Sequence, residues 1–389
     1  MKRVRIGIIG AGGATEWAIL PVLSGPDAVS PPDSGAWWGR RPLPDSAISY
    51  QAPARPEVVA IADRDGARAG RLAESWRVRA SYSDWRLMLR EVELDALLCL
   101  APPEVAAEVV VAAGAAVRHL WLDGPPALSA AATRSLEDRL QGRALKVWCG
   151  HSLRAAAAHR AAQRLIERGQ IGEVSALSLR WPAPLHHAPP QAGHDAPYFT
   201  SSYAALDLLL HFANAGRGKS QITAAQNGGA TSLLLRFDNG ASATALFAGA
   251  ENWSAPLPRL EICGTQGRSV VCEGGRRLWL HEPRESARLL EPPGLAAHVS
   301  AANITGVAED LKAFLGSVVE AGESDETSPL SGAAIALEIL EAAGRAVNSG
   351  ESVETGASEN KLQKEAYFSP PNAPPKPLAP AADTLKLPL

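Results

Sequence analysis

The chain has 389 residues, a formal net charge of −3 and a charged fraction of 20%. That length predicts two domains with sizeable cores, and that balance lacks the basic patch nucleic acid requires. The opening MKRVRIGIIGAGG mimics a signal peptide, but its apolar run is short and broken by glycine, and no run is long enough to span a membrane.

From Val4 the sequence runs VRIGIIGAGGATEWAILPVL, a β-rich stretch cut off by glycines and followed at once by a helix-competent one. Strand, tight turn and helix in that order predict a dinucleotide-binding fingerprint. Gly10 and Gly12 let the backbone approach a pyrophosphate, and Gly13 and Ala14 open a helix whose first N–H groups favour phosphate. The third small position is Thr15 instead of Gly or Ala. Residues 24–56, rich in Pro and Gly and carrying Trp37–Trp38 and Arg40–Arg41, read as a long loop away from the cofactor, anchored on a neighbouring surface or subunit. Residues 57–63 form the second strand. Asp63 at its tip suits hydrogen bonds from the adenosine ribose and favours NAD, while Arg64 beside it leaves NADP open.

Helices follow over 65–76, 83–91, 104–113 and 129–141, and strands over 95–100, 119–122 and 144–149. Ala101 and Pro102 end one of these strands and Asp123 follows another, so all three stand where a cofactor lies. Alternating strands and helices predict a parallel α/β sheet over 1–150, a Rossmann dinucleotide-binding domain. Residues 151–355 change character. An Ala-rich helix over 153–168 and a strand over 173–181 precede a Pro/His-rich loop with His186, His187, His194 and Asp195. A helix over 201–212 leads to strands 231–237 and 241–247 around Asp238-Asn239-Gly240, then strands 259–263, 268–272 and 276–281, then helices 307–319 and 331–348. This is an α+β substrate and oligomerisation domain on a large, open, mostly antiparallel sheet. Its free face predicts a homodimer or homotetramer. Residues 356–389 read as a Pro-rich tail. Cys99, Cys149, Cys263 and Cys272 form no CxxC pair and read as buried thiols in a reducing cytoplasm.

IGIIGAGG with Leu20-Pro21 after it, VVAIADRD, DALLCLAPP, LIERGQIGEV, LRFDNGASAT, LEICGTQGRSVV and AVNSGESV stand in an order and spacing that resembles the Gfo/Idh/MocA family of sugar and inositol oxidoreductases. The resemblance implies a nucleotide-binding domain, a mixed α/β domain around a large open sheet, a dimer or tetramer, and redox chemistry with NAD. It also implies a Glu-Lys-Pro motif where this chain has Asp123-Gly124-Pro125, so the family's lysine position is Gly124. The family's Asp-x-Gly-x-His-x-x-Asp pattern is matched by TSSYAALD, in which Thr200, Ser202 and Ala204 replace the first acid, the glycine and the histidine, and Asp207 persists. A further family histidine falls on Ala106, and Arg154 matches an arginine common early in the second domain.

Hydride transfer from an alcohol needs its O–H proton to leave, and a positioned base is worth about 10²–10⁴ in rate. Three groups are candidates to replace the missing ones. Tyr203, beside the lost histidine position, reads as a general acid or a packed aromatic. His151, on the connection after the last parallel strand, reads as a cleft base or a hydrogen-bonded linker. The loop histidines match no standard metal spacing, so no metal is predicted. His211 reads as the helix partner of Asp207, and Asp123 as a strand-end acid beside the cofactor. The favoured function is an NAD-dependent oxidoreductase acting on a sugar or cyclitol hydroxyl, with Tyr203, His151 and Asp207 at its centre. One alternative is a non-catalytic nucleotide- and sugar-binding relative, acting as sensor or scaffold. Another is a glycosidase-like enzyme that uses NAD transiently. No nucleic-acid or membrane partner is expected.

Overall fold

Val4, Ile6 and Ile8 of β1 (Lys2–Ile9) are fully buried on one face of a sheet, as the two-residue period of a strand requires. In this computed structural model, placement is described for residues 2–24, 54–188, 196–214, 218–249, 257–290, 306–319 and 330–355. Residues 1–355 form one compact unit. Trp37–Trp38, Arg40–Arg41, His194, Asp195 and the Pro-rich segment 356–389 lie outside the described residues.

β1 pairs in parallel with β2 (Ala54–Ala62), and with β3 (Ala80–Tyr82), β4 (Ala96–Cys99), β5 (His119–Asp123) and β6 (Lys146–Gly150) it forms a six-stranded parallel sheet. The order β3-β2-β1-β4-β5-β6 reverses between β1 and β4. A crevice for a ligand opens at that switch point, beyond the carboxyl ends of the strands. One face is covered by α1 (Leu20–Ser24) and α2 (Gly66–Ser75), the other by α4 (Pro103–Ala113) and α5 (Ala130–Leu140). α3 (Trp85–Glu91) adds its buried Met88 to the core on the side of α4 and α5. The side chains of Asp65, Asp84 and Ser129 accept from the N–H groups of Arg68, Arg86 and Ala132, which fixes where α2, α3 and α5 begin.

Beyond β6 comes a 3-10 turn, Ser152–Ala155, and then α6 (Ala157–Glu167). The single helix expected over 153–168 is therefore broken, at Ala156, which is extended. Tertiary packing accounts for the break, because a Cβ on Gly306 would lie 2.0 Å from the Ser152 carbonyl oxygen and 2.4 Å from the Ala156 nitrogen. β7 (Val174–Trp181) and α7 (Ala196–Ala213) follow. Then come β8 (Ser220–Asn227), β9 (Ala230–Phe237), β10 (Ser242–Phe247), β11 (Arg259–Gly264), β12 (Ser269–Glu273), β13 (Arg277–His281), β14 (Arg288–Leu290) and, late in the chain, β15 (Val353–Glu354). They form a nine-stranded sheet, antiparallel except where β10 runs parallel to β7. The outward face, with Ser178, Arg180, Thr244, Arg236 and Thr223, is largely polar around the exposed Leu234.

Two helices close the unit. α8 (Val307–Val319) joins its Leu311, Phe314 and Leu315 to the core made by Val4, Ile6, Ile8 and Trp121, so a helix from late in the chain covers the first sheet. α9 (Leu330–Ser349) packs beside α5, α7 and β8. Among the described residues no helix is long and apolar enough to cross a membrane.

Candidate active site

The turn after β1 is shaped for a close visitor. Gly10 has φ +101°, and a Cβ there would lie 2.8 Å from the Leu100 carbonyl oxygen, so only glycine fits. A Cβ on Gly12 would meet nothing within 4 Å, so this backbone faces open space at the start of the helix. Gly13 and Ala14 lead into a wide helical turn, Thr15–Ile19. Thr15, where a glycine or alanine was expected, is fully buried and donates its hydroxyl to the Gly10 carbonyl at 2.6 Å. The larger side chain thus secures the turn instead of blocking it. The arrangement fits a pyrophosphate between the Gly12 backbone and the helix N-terminus.

Asp63, just past β2, accepts from the Ala11 N–H at 2.7 Å and the Asp65 N–H at 2.8 Å. It also accepts from Arg68, at 2.8 and 3.0 Å. Burial opposes its charge, but the Ala11 N–H, Arg68 and the Asp65 N–H outweigh burial and hold the carboxyl below its usual range. Arg64 is exposed and, among the described residues, makes no bond to Asp63.

The tips of β4, β5 and β6 stand side by side, with Cys99 level with Leu122, Leu122 with Cys149, and Asp123 with Gly150. Ala101 and Pro102 follow β4 on the crevice side. Gly124 has φ +100°, and a Cβ on it would lie 2.9 Å from the methyl group of Thr200. The positions where the resemblance implies a lysine and the first acid of the later pattern therefore meet, and the Thr200 methyl takes the space a side chain at 124 would need. Burial, and then the charge of Asp310, pushes the Asp123 carboxyl up to about 6. A carboxyl with a raised folded pKa supports stability fully below its ordinary value of 3.8 and loses that support as pH rises to about 6. Asp123→Asn is therefore expected to raise the melting temperature relative to the parent at pH 7 and not at pH 4, measured by thermal melts at both.

α7 carries Thr200, Tyr203 and Asp207 at i, i+3 and i+7, one helical face. Asp207 is buried and takes both ends of the Arg154 fork: Nε donates to Oδ2 at 2.8 Å and the terminal nitrogen donates to Oδ1. His151 Nδ1 lies 3.0 Å from the same Oδ1, at an angle too bent for a well-formed hydrogen bond. Burial opposes the Asp207 charge, but His151 and Arg154 hold its carboxyl well below the usual carboxylate range. Asp207 is therefore an anion that orients, not a proton acceptor. The helix pairing expected with His211 does not form. That ring stacks edge-on to Phe212 at 5.0 Å, and burial followed by Arg154 pushes its pKa down to about 4.

Tyr203 packs its ring 6.4 Å from that of His151. Its hydroxyl is buried with no hydrogen-bond partner among the described residues, and burial, then the Asp207 charge, raises its pKa well above 10. Ser202 accepts from the His186 backbone N–H at 2.9 Å, and a Cβ on Gly344 would lie 2.3 Å from the His187 ring. His187 is thus tucked against α9. Among the described residues no group of three or more His, Cys, Asp or Glu is arranged to hold a metal ion.

Two participants were missed by sequence reasoning. Arg68 lies five residues after Asp63 in the first turn of α2, a spacing that could have suggested it. Asp310 of α8 had no local signal. It is buried and accepts from Trp121 Nε1 at 2.9 Å, Trp148 Nε1 at 3.1 Å and the Ser152 hydroxyl at 3.2 Å, tying β5, β6 and the turn after His151 together.

Residues 4–151 match the profile of an oxidoreductase family with an NAD-binding Rossmann fold, GFO_IDH_MocA. Levoglucosan dehydrogenase of Pseudarthrobacter phenanthrenivorans is 26% identical over 131 residues, which is 34% of this chain and only 33% of that relative. The dTDP-3,4-didehydro-2,6-dideoxy-alpha-D-glucose 3-reductase of Saccharopolyspora spinosa is 27% identical over 232 residues, 56% of this chain and 67% of the relative. Among solved structures, a levoglucosan dehydrogenase in complex with NADH and L-sorbose superposes with a TM-score of 0.72 at 16% identity, covering 91% of this chain and 99% of the other. That likeness establishes a shared fold across both sheets.

Proposed function

We propose, from the match of residues 4–151 to the NAD-binding Gfo/Idh/MocA oxidoreductases, that the whole chain is an NAD-dependent oxidoreductase acting on a hydroxyl of a sugar or cyclitol. The observation that carries the reading is the His151–Asp207 pairing beside the tip of β6. It supplies a base where the resemblance left none.

The Gly10–Ala14 turn and Asp63 would hold the adenosine and pyrophosphate, and Ala101, Pro102 and Asp123 the nicotinamide end. Bound nicotinamide supplies the hydride acceptor or donor. The chain's own residues handle the proton. Asp207, kept ionised by Arg154, faces Nδ1 of His151, which leaves Nε2 to take the proton of the substrate hydroxyl. The carboxylate then stabilises the imidazolium that forms. Tyr203 serves as packing against the base, since its hydroxyl is buried and has no partner among the described residues. The curated relatives act on sugars by name, which supports the substrate class.

The contact of Gly124 with Thr200 favours a second reading, a nucleotide- and sugar-binding protein without turnover. One experiment separates the two. NAD binding is followed by tryptophan fluorescence, and NADH absorbance is then followed across levoglucosan, L-sorbose, inositols and aldoses. Turnover with any of these supports the oxidoreductase. Binding of NAD with silence across the series replaces it by the second reading, and failure to bind NAD overturns both.

A further inference from the structure

The acid that would meet the adenosine ribose is already fully engaged. A carboxylate has about four acceptor places. Asp63 uses them on the Ala11 N–H, the Asp65 N–H and two contacts from the same Arg68 nitrogen. These four contacts come from three partners, and the three are not equivalent. The two backbone donors belong to the phosphate turn and to the cap of α2 and cannot leave without unmaking both. Arg68 can leave: its side chain is 49% exposed against 8% for Asp63, so its guanidinium passes into water when it lets go. The removable partner is thus the one on the solvent side, where a ribose would come in.

We propose that Arg68 sets the choice between the two nicotinamide dinucleotides. It covers Asp63 in the free protein. It swings outward to release two acceptor places to the 2′- and 3′-hydroxyls of NAD, and it turns its planar fork onto the 2′-phosphate of NADP. Asp63 keeps its position in both cases, held by Ala11 and Asp65. The cost that an acid at this strand tip normally imposes on a 2′-phosphate is offset by the adjacent guanidinium. The chain therefore accepts both dinucleotides, although the strand-tip acid by itself favours NAD. The inference rests on nucleotide binding at the Gly10–Ala14 turn, as proposed above.

The test titrates NAD and NADP separately, by calorimetry, into the full chain and into Arg68→Ala, Arg68→Lys and Arg64→Ala. The parent is expected to bind both. Arg68→Ala weakens NADP by about tenfold or more, the worth of a charge-assisted hydrogen bond. It leaves NAD unchanged or tightens it by up to about fivefold, because the competitor for Asp63 is gone. Arg68→Lys keeps the charge without the fork and falls between. Arg64→Ala tests the rival arginine beside Asp63 and is expected to shift the ratio less than Arg68→Ala, because the exposed Arg64 makes no bond to Asp63 among the described residues. A ratio of NADP to NAD affinity in Arg68→Ala within about twofold of the parent, or a shift carried by Arg64→Ala instead, overturns the inference while leaving nucleotide binding intact. A parent that binds neither dinucleotide overturns the nucleotide-binding reading and this inference together.

Discussion

Replacing His151 by glutamine lowers turnover by about 10²–10⁴ with NAD affinity nearly unchanged. The size is that ordinarily lost with a positioned base. Gly124 and Ala204 offer none, the Asp207 carboxyl is held far below neutrality as an anion, and the Tyr203 hydroxyl is sealed and held far above it. Asp207→Asn should fall in the same direction, because an amide neither orients Nδ1 by charge nor stabilises an imidazolium. Tyr203→Phe is the contrast: rate within about twofold of the parent and a higher melting temperature, since the substitution removes a buried hydroxyl that lacks a partner. The measurement is initial NADH formation with saturating substrate, beside a thermal melt of each variant. Full activity in His151→Gln removes the dyad from the mechanism. A large loss in Tyr203→Phe would move the proton chemistry to the phenol. Gly124→Lys restores nothing, because its Cβ collides with Thr200 and its backbone sits at φ +100°.

Asp310→Ala lowers the stability of the unit by about 2–4 kcal/mol, read from urea unfolding of parent and variant. The carboxylate is the shared acceptor of two indole N–H groups and a serine hydroxyl, and alanine leaves all three without it. Burial raises the Asp310 pKa, and the three donors pull back against that rise. Asp310→Asn, which keeps one acceptor oxygen, should lose less. Equal stability of Asp310→Ala and parent would mean that water or a side-chain shift supplies the lost acceptor.

The legibility of this molecule follows the sequence distance over which each feature is decided. β1, β4 and β5 are buried on both faces, and a continuous apolar run such as DALLCL reads as a strand wherever it occurs. β3 and β8 were missed. The first is a three-residue edge strand, and SQITAAQN of the second has a polar outer face and small residues where large ones would have signalled a strand. The phosphate turn and Asp63 were legible because a glycine turn and a strand-tip acid are local patterns. What Asp63 actually holds was not, since Arg68 reaches it only once α2 has its position. His151, Arg154 and Asp207 were all picked out, but helical spacing assigned Asp207 to His211, whereas the fold gives it the two residues from the connection after β6. Asp310 lies 189 positions from Trp121 and no period or motif leads to it.

The late helix α8 has a consequence for how the protein is made. Val4, Ile6 and Ile8 leave the ribosome long before Leu311, Phe314 and Leu315, which share their core and follow only after the first sheet and all of the second but β15 have been synthesised. During that interval one flank of the nascent first sheet is an uncovered oily strip, the kind of surface that chaperones hold and neighbouring chains stick to. Covering of the first sheet is therefore a late event in synthesis. A ribosome stalled after β6 would release a fragment with a raw, adhesive side instead of a miniature working domain.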